Sequence, residues 1–361
     1  MDPPMSEPTG QELLTQSRRL LVVMLSAIGD AVHVLPVIHA LKAHRRDLEI
    51  TWVIQPVPHE LVEHHPDVDR FVTFKRVRGR LLAGELWRCT NALRAHRYDL
   101  AIGLQVYLKA GLLLLGSGAR ARLGFDRARA RDAQWLFSTH RIPPRPAAHV
   151  QDQYIEFLDH LGVPRIEPHW GLELTNAEIT SRTEYFRAFT RPVCGLIVGT
   201  SKKEKNWSPK GYARVVDALE TDFGMKPLLL GGPSVAEAEA ARQIQSLLNR
   251  PVAASLGPGV RRLLWQISGC ELLISPDTGP LHMARAIDVP VVGLYGFTNP
   301  KRTGPYRKYT HLVVDGFARS PDEDAGIDLP NRPEGMSRVT VDAVLAKVDL
   351  ARSTLRSSGS G

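Results

Sequence analysis

The chain has 361 residues, 43% hydrophobic and 23% charged, which excludes disorder over most of its length and provides for two hydrophobic cores rather than one. Its formal net charge of +8 calls for an anionic partner. The charge is regional: from Arg70 to Arg145 sixteen Lys and Arg face four acids, Glu85, Asp99, Asp126 and Asp132, a local +12 that leaves the rest at −4. Nucleic acid, an anionic membrane surface or a phosphorylated substrate would each answer it, and a solvated arginine-rich face is the plain alternative.

Residues 1–19 are polar and read as a flexible N-terminus. Short Val/Ile/Leu runs then alternate with helix-length amphipathic segments, the pattern of parallel βαβ units. In the first half the pattern predicts strands over Leu20–Leu25, Ile50–Ile54, Arg70–Phe74, Leu100–Leu104 and Arg122–Gly124, with helices near Ala31–Ala43, Leu81–Arg97, Leu108–Leu115 and Val150–Leu161. A proline-punctuated stretch without periodicity marks a linker near residues 162–176. The second series has strands over Val193–Val198, Lys226–Leu230, Glu271–Ile274 and Pro290–Leu294. Its helices fall near Lys210–Thr221, Val235–Leu248, Arg261–Ile267, Gly279–Ile287 and Ala343–Leu350, before a disordered tail over 351–361. The reading is therefore two Rossmann-like domains, 20–165 and 175–350, facing an interdomain cleft that closes about the linker.

Three scattered cysteines, Cys89, Cys194 and Cys270, form no CxxC pattern and fit a reducing compartment. No run approaches the ~18 apolar residues of a membrane span, and the N-terminus lacks a signal-peptide pattern, so a cytoplasmic protein is expected.

Four segments carry chemistry-bearing residues. Ser26-Ala27-Ile28-Gly29-Asp30 follows the first strand; Asp30 reads either as a cap favoured by the helix dipole or as a general base, and His33, three residues on, reads as facing the same cleft or as sitting on the helix surface. Gly199-Thr200-Ser201-Lys202-Lys203-Glu204-Lys205 offers amides, hydroxyls and cations to a diphosphate, or is a solvated basic loop; it has no Walker spacing. Ser275-Pro276-Asp277-Thr278-Gly279-Pro280-Leu281-His282 opens a helix toward a phosphate, with Asp277 able to accept from sugar hydroxyls and His282 either lining the site or buried structurally. Gly293-Leu294-Tyr295-Gly296-Phe297-Thr298-Asn299-Pro300 reads as the wall of a donor pocket or as a turn. No GxGxxG follows a strand, and HExxH and GxSxG are absent. Aromatic residues interleave with the basic window, but helical spacing puts Trp87 and Tyr98 in the core, and no RRM, KH or helix-turn-helix signature supports nucleic-acid binding.

The strings LLVVMLSAIGDAVHVLPVIHALK, ITWVIQP, HHPDVDRFVTF, GTSKKEKNWSPKGYARVV, LLLGGP and SPDTGPLHMARAIDVPVVGLYGFTNPKRTGPY occur in an order that resembles the bacterial lipopolysaccharide heptosyltransferases, glycosyltransferase family 9. The resemblance runs from about Leu20 to Lys347. It implies an α/β GT-B fold and an inverting, metal-independent enzyme without cofactor, moving heptose from ADP-L-glycero-β-D-manno-heptose to the inner core of lipopolysaccharide. By motif match Asp30 is the base. Thr200, Ser201 and Lys205 fall on the diphosphate loop; Asp277, Thr278, Gly279 and His282 fall on the donor-sugar and phosphate site. Gly29, His33, Lys109 and Arg131 fall on the acceptor side. The implied partners are a nucleotide-sugar donor, an anionic lipid A–core acceptor and the cytoplasmic face of the inner membrane, with no nucleic acid. Departures are Gly103 for Asp, Val106 for Gly and Ala110 for Ser, and Ser234-Val235 where an acid after GGP holds the donor ribose, with Glu237 off the usual spacing. Asp328-Leu329-Pro330-Asn331-Arg332-Pro333 replaces a cysteine-rich segment. A transferase with another donor or acceptor, or a non-catalytic nucleotide-sugar binder, stands as the alternative.

Overall fold

The computed structural model describes residues 8–320 and 322–358 and divides them into two compact units, one of residues up to Pro146 plus Val150–Gly171, the other of Ala147–His149 and the chain from Leu172 onward.

The first unit contains, in order, α1 (Gly10–Thr15), β1 (Arg19–Val23), α2 (Ile28–His44), β2 (Glu49–Ile54), α3 (Pro56–Val62), β3 (Arg70–Thr73), α4 (Leu81–Arg94), β4 (Leu100–Gly103), α5 (Leu108–Gly116), β5 (Ala121–Gly124), β6 (His140–Arg141) and α6 (Val150–His160). A short 3-10 turn over Gln134–Phe137 precedes β6. The strands form one parallel sheet in the order β3-β2-β1-β4-β5-β6. Both faces are covered, so the strands read as continuous apolar runs: residues Leu20 to Val23 are all fully buried. Leu21, Val23, Val53 and Ala101 pack with Cys89 and Leu93 of α4 and Leu113 and Leu114 of α5 on one face, while α2 packs against α6.

The second unit contains α7 (Asn176–Phe186), β7 (Val193–Ile197), α8 (Pro209–Thr221), β8 (Lys226–Gly231), α9 (Val235–Ser246), β9 (Ala253–Leu256), α10 (Val260–Ser268), β10 (Leu272–Pro276), α11 (Gly279–Ala286), β11 (Val291–Tyr295), α12 (Pro300–Thr303), β12 (Val314–Asp315) and α13 (Val341–Ser358). Its sheet is parallel too, in the order β12-β11-β10-β7-β8-β9. Each sheet thus reverses direction after its third strand, at β1/β4 and at β7/β10. These are the switch points where the loops beyond the strand carboxyl ends diverge and leave room for a ligand.

Several expectations need correction. In the stretch before β1 the described residues are structured: Thr9 and Glu12 form a reciprocal capping box and Leu13 and Leu14 are buried; residues 1–7 lie outside the described residues. The C-terminal stretch is helical to Ser358, because Val344, Val348 and Ala351 continue one buried stripe past residue 350; residues 359–361 lie outside the described residues. Helix α7, absent from the sequence reading, buries none of its side chains. It is held by a Thr175/Glu178 capping box and by Arg261, whose guanidinium pairs with the Glu178 carboxylate, Nε to Oε1 at 2.7 Å. Tyr98 is buried as expected, but Trp87 is 69% exposed, because the inward stripe of α4 is Glu85, Cys89 and Leu93.

Candidate active site

In the first unit the polar groups gather at the β1/β4 switch point. After β1 the chain turns into α2, where Gly29 and Asp30 occupy the first turn, both half-buried. The Asp30 carboxylate faces back over the helix N-terminus: Oδ2 accepts from the Ala27 amide at 2.8 Å, and the Tyr154 hydroxyl of α6 lies 3.4 Å from Oδ1. The turn is pinned from the loop after β4, where the Gln105 side chain accepts from Leu25 N at 3.0 Å and donates to Ser26 O at 2.9 Å. Gln105 escaped the sequence reading, although it lies inside the LQVYLKA segment that supplied Lys109.

That loop reaches the remaining acceptor-side candidates. The Arg131 amide donates to Val106 O at 2.9 Å, so the segment carrying Arg131 is tied to the one carrying Lys109, in the first turn of α5. Lys109 is half-buried and Arg131 exposed. Asp30, Gly29, Lys109 and Arg131 therefore belong to one connected set of loops through Gln105 and Val106. His33 is placed differently. It is 4% exposed, with Nδ1 3.1 Å from Gln151 Oε1, in the seam between α2 and α6, where it sets α6 and hence Tyr154 against the helix bearing Asp30.

In the second unit the matching set lies at the β7/β10 switch point. Asp277, just past β10, is buried: Oδ2 accepts from Lys205 Nζ at 2.6 Å and from the Thr298 hydroxyl at 2.5 Å, and His282 Nε2 stands 3.6 Å from Oδ1. Lys205 Nζ also donates to Asp277 O at 3.2 Å. Burial opposes ionisation of this carboxyl, but the adjoining His282 and the Lys205 ammonium outweigh it and hold its pKa well below the usual carboxylate range. Thr278 is the N-cap of α11 and Gly279 its first residue, both half-buried. The second, third and fourth sequence segments thus converge on one carboxylate. His282 is buried, on the α11 face that meets Asp277.

The loop after β7 is shaped from within. Thr200 accepts nothing from outside it: its amide and hydroxyl both reach Asn206 Oδ1, at 2.8 and 2.9 Å, and the hydroxyl lies 2.6 Å from Lys202 O. Ser201 is exposed at the tip. Asn206, also outside the sequence reading, is what folds this loop so that Lys205 turns to Asp277.

Glu237 is closer than its spacing suggested. Standing three residues into α9, its side chain turns back past the N-cap. Oε1 accepts from Gly232 N at 2.8 Å and Oε2 accepts from the Ser234 hydroxyl at 2.6 Å. A methyl group on Gly199 would lie 2.7 Å from the Glu237 side chain, so the carboxylate sits beside the strand ends of both β7 and β8. In place of a cysteine-rich segment, Arg332 is buried, pairs with Glu323 at 2.7 Å, and donates from its amide to Phe297 O at 2.9 Å, fixing the loop that carries Thr298. Among the described residues no group of three or more His, Cys, Asp or Glu is arranged to hold a metal ion.

Two doubly wound parallel units, each with its polar side chains at the switch point, make up the GT-B fold. The model of Glycosyltransferase family 9 (heptosyltransferase) matches residues 86–329, more than half of the chain. The chain is 29% identical over 297 residues to the lipopolysaccharide core heptosyltransferase OpsX of Haemophilus influenzae, covering 82% of this chain and 84% of that protein. A glycosyl transferase family 9 crystal structure from Veillonella parvula superposes with a TM-score of 0.76 at 21% identity, over 92% of this chain and 97% of that one. The E. coli heptosyltransferase WaaC, solved with ADP, gives 0.72 at 19% identity, over 92% and 99%. This chain belongs to glycosyltransferase family 9, and it is a glycosyltransferase of the heptosyltransferase type.

Proposed function

We propose that this enzyme transfers heptose from an ADP-linked donor to the inner core of lipopolysaccharide by a single inverting displacement, with Asp30 as general base. The observation that carries the proposal is the Asp30 carboxylate itself: held by the Ala27 amide through one oxygen, half-exposed, and seated at a switch point beside Tyr154. The acceptor hydroxyl attacks the anomeric carbon as its proton passes to Asp30, and the bond from that carbon to the diphosphate oxygen breaks on the opposite face. General-base assistance of this kind contributes typically ~10²–10⁴ in rate.

The leaving diphosphate carries the developing negative charge. Lys205, Ser201 and the amides at the start of α11 answer it, a fixed electrostatic arrangement that requires little reorganisation during reaction. Because Lys205 is paired with Asp277, the pair as a unit orients the ammonium, and Asp277 remains an acceptor for sugar hydroxyls. The proposed route uses no metal ion. Glu237 supplies the carboxylate for the ribose hydroxyls. Lys109 and Arg131 meet the anionic groups of a lipid A–core acceptor. The relatives support this reading, OpsX by its named activity and WaaC by the ADP in its structure. The enzyme works on the cytoplasmic side of the inner membrane, where such a lipid-linked acceptor is presented.

The test is Asp30→Asn. Transfer should fall at least ~10²-fold while the thermal shift produced by ADP is unchanged. Transfer at the wild-type rate would remove Asp30 as the base. A shift given by UDP or GDP, and not by ADP, would replace the donor assignment.

A further inference from the structure

Among the described residues thirteen large apolar side chains are exposed, and six of them, Leu81, Trp87, Tyr107, Leu108, Leu115 and Leu136, lie between residues 81 and 136. They belong to three neighbouring pieces of one layer. Helix α5 packs on α4 where Gly116 meets Thr90, a methyl on Gly116 lying 2.1 Å from Thr90 Cγ2, and Arg94 Nε donates to Gly116 O at 2.9 Å. On its other side α5 packs on the 3-10 turn where Gly111 meets Phe137, 2.5 Å from the position of a methyl. Both glycines allow these elements to approach closely enough for their outer side chains to form one surface.

Apart from Lys109 in its first turn, helix α5 is apolar. Ala110, Leu113 and Leu114 face the core, while Leu108 and Leu115, at i and i+7, are exposed and Leu112 between them is half-buried. A soluble helix with a dry core face ordinarily carries charge on the other. The two elements packed on α5 add Trp87 of α4, 69% exposed, and Leu136 of the 3-10 turn, 60% exposed.

The surrounding charge is one-sided. Arg78, Arg80, Arg120, Arg127, Arg131 and Arg141 are exposed, and among the described residues none has a carboxylate within ion-pair distance. Arg127 and Arg141 lie over the Trp135 ring, their guanidinium carbons 4.7 and 5.4 Å from its centre, so that their charge is held at a fixed place on the rim. Of the four acids in the Arg70–Arg145 window only Asp132 is exposed.

We propose that this face, α4, α5 and the Gln134–Phe137 turn, docks on an anionic lipid bilayer, with Trp87, Leu108, Leu115 and Leu136 entering the headgroup–acyl boundary and the arginines meeting lipid phosphates. Exposed aliphatic side chains ringed by cations are what an interfacial surface requires, and Trp is favoured at that depth. Leucines offer no stacking surface to nucleobases, which counts against nucleic acid, and a second copy would set one cationic face against another. Among the described residues no helix is long and apolar enough to cross a membrane. The inference deepens the proposed function, resting on it only in that a lipid-linked acceptor would be met at such a surface.

Co-sedimentation of the full chain with phosphatidylcholine vesicles and with vesicles containing about 30% phosphatidylglycerol tests it, at 0.1 and 0.5 M salt. Binding should be at least about tenfold tighter to the anionic vesicles and weaken in high salt. The triple variant Trp87→Ser, Leu115→Ser, Leu136→Ser should lose about tenfold or more in vesicle binding, with unchanged circular dichroism and unchanged transfer to a water-soluble, lipid-free acceptor. Equal affinity for both vesicle types, an unaffected triple variant, or tighter binding to generic duplex DNA than to vesicles would each overturn the proposal. Loss of transfer with vesicle binding intact would refute the proposed function and leave the docking face standing.

Discussion

Lys205→Met tests the Lys205–Asp277 pair by leaving a buried carboxylate without its cation. The Asp277 side chain is 6% exposed and that of Lys205 20%, so the two halves of the pair are unequal. Breaking a fully buried pair costs about 3–5 kcal/mol, most of it from the charge left behind. Here Thr298 and His282 stay with the carboxylate, which lowers the expected cost to about 2–3 kcal/mol. Asp277→Asn leaves instead a lysine able to turn toward water, at about 1 kcal/mol. For a unit of this size each kcal/mol is worth about 2–4 °C, so Lys205→Met should lower the melting temperature by about 4–12 °C and Asp277→Asn by about 2–4 °C. The pH dependence has a definite sign. The Asp277 carboxyl is held below its unfolded value, so its contribution is complete above a pH of about 4 and is lost as the pH falls toward its folded value. Without Lys205 the carboxyl takes up a proton at higher pH, so the gap between wild type and Lys205→Met should narrow from pH 7 to pH 4. Calorimetric scans of wild type and both variants at those two pH values measure all of this. A larger loss for Asp277→Asn than for Lys205→Met at pH 7, or a gap that does not change with pH, would refute the reasoning.

Gln105→Leu keeps the side-chain volume but leaves Leu25 N and Ser26 O without their partner; about 2 kcal/mol of stability should be lost, and kcat should fall more than KM changes, because the turn carrying Asp30 is no longer pinned. Unaltered kcat would show that the turn holds itself. All three cysteines are buried and free, and burial pushes the thiols of Cys89 and Cys270 up to about 11 and about 12. The folded protein should therefore react negligibly with a disulfide reagent at pH 8 and release three equivalents in denaturant; rapid reaction of any one thiol in the native state would contradict its burial.

The legible part of the fold was the part governed by burial. Strands β1, β2, β4, β7, β8, β10 and β11 are covered on both faces and stand out as apolar runs, and Tyr98 is buried, although it lies in the connection from α4 to β4 and not on a helix. Strands β6, β9 and β12 were not legible. Two are only two residues long, and β9 reads Ala-Ala-Ser-Leu with its first half exposed; each exists because a neighbouring strand offers it a hydrogen-bonding edge. Trp87 shows the opposite failure: helical spacing points it inward, whereas Glu85, Cys89 and Leu93 hold that stripe.

Much the same division runs through the site. Short chemical strings after strands were enough to single out Asp30, Lys205, Asp277 and Thr278, because a parallel βαβ unit puts the residues following each strand at one edge of the sheet. Spacing along the chain could not show that Lys205, Thr298 and His282 converge on Asp277, that Gln105 pins the turn before Asp30, or that Glu237 turns back to Gly232. The contacts of Lys205, Thr298 and Gln105 join loops that follow adjacent strands and lie far apart in sequence, while those of His282 and Glu237 depend on how a side chain folds back over its own helix start. The sequence by itself determined the alternation of elements, the switch-point loops and the +12 window. Tertiary structure alone decided which polar groups meet and which apolar side chains remain outside, because both depend on strand order and on the close helix approaches that glycines such as Gly111 and Gly116 permit.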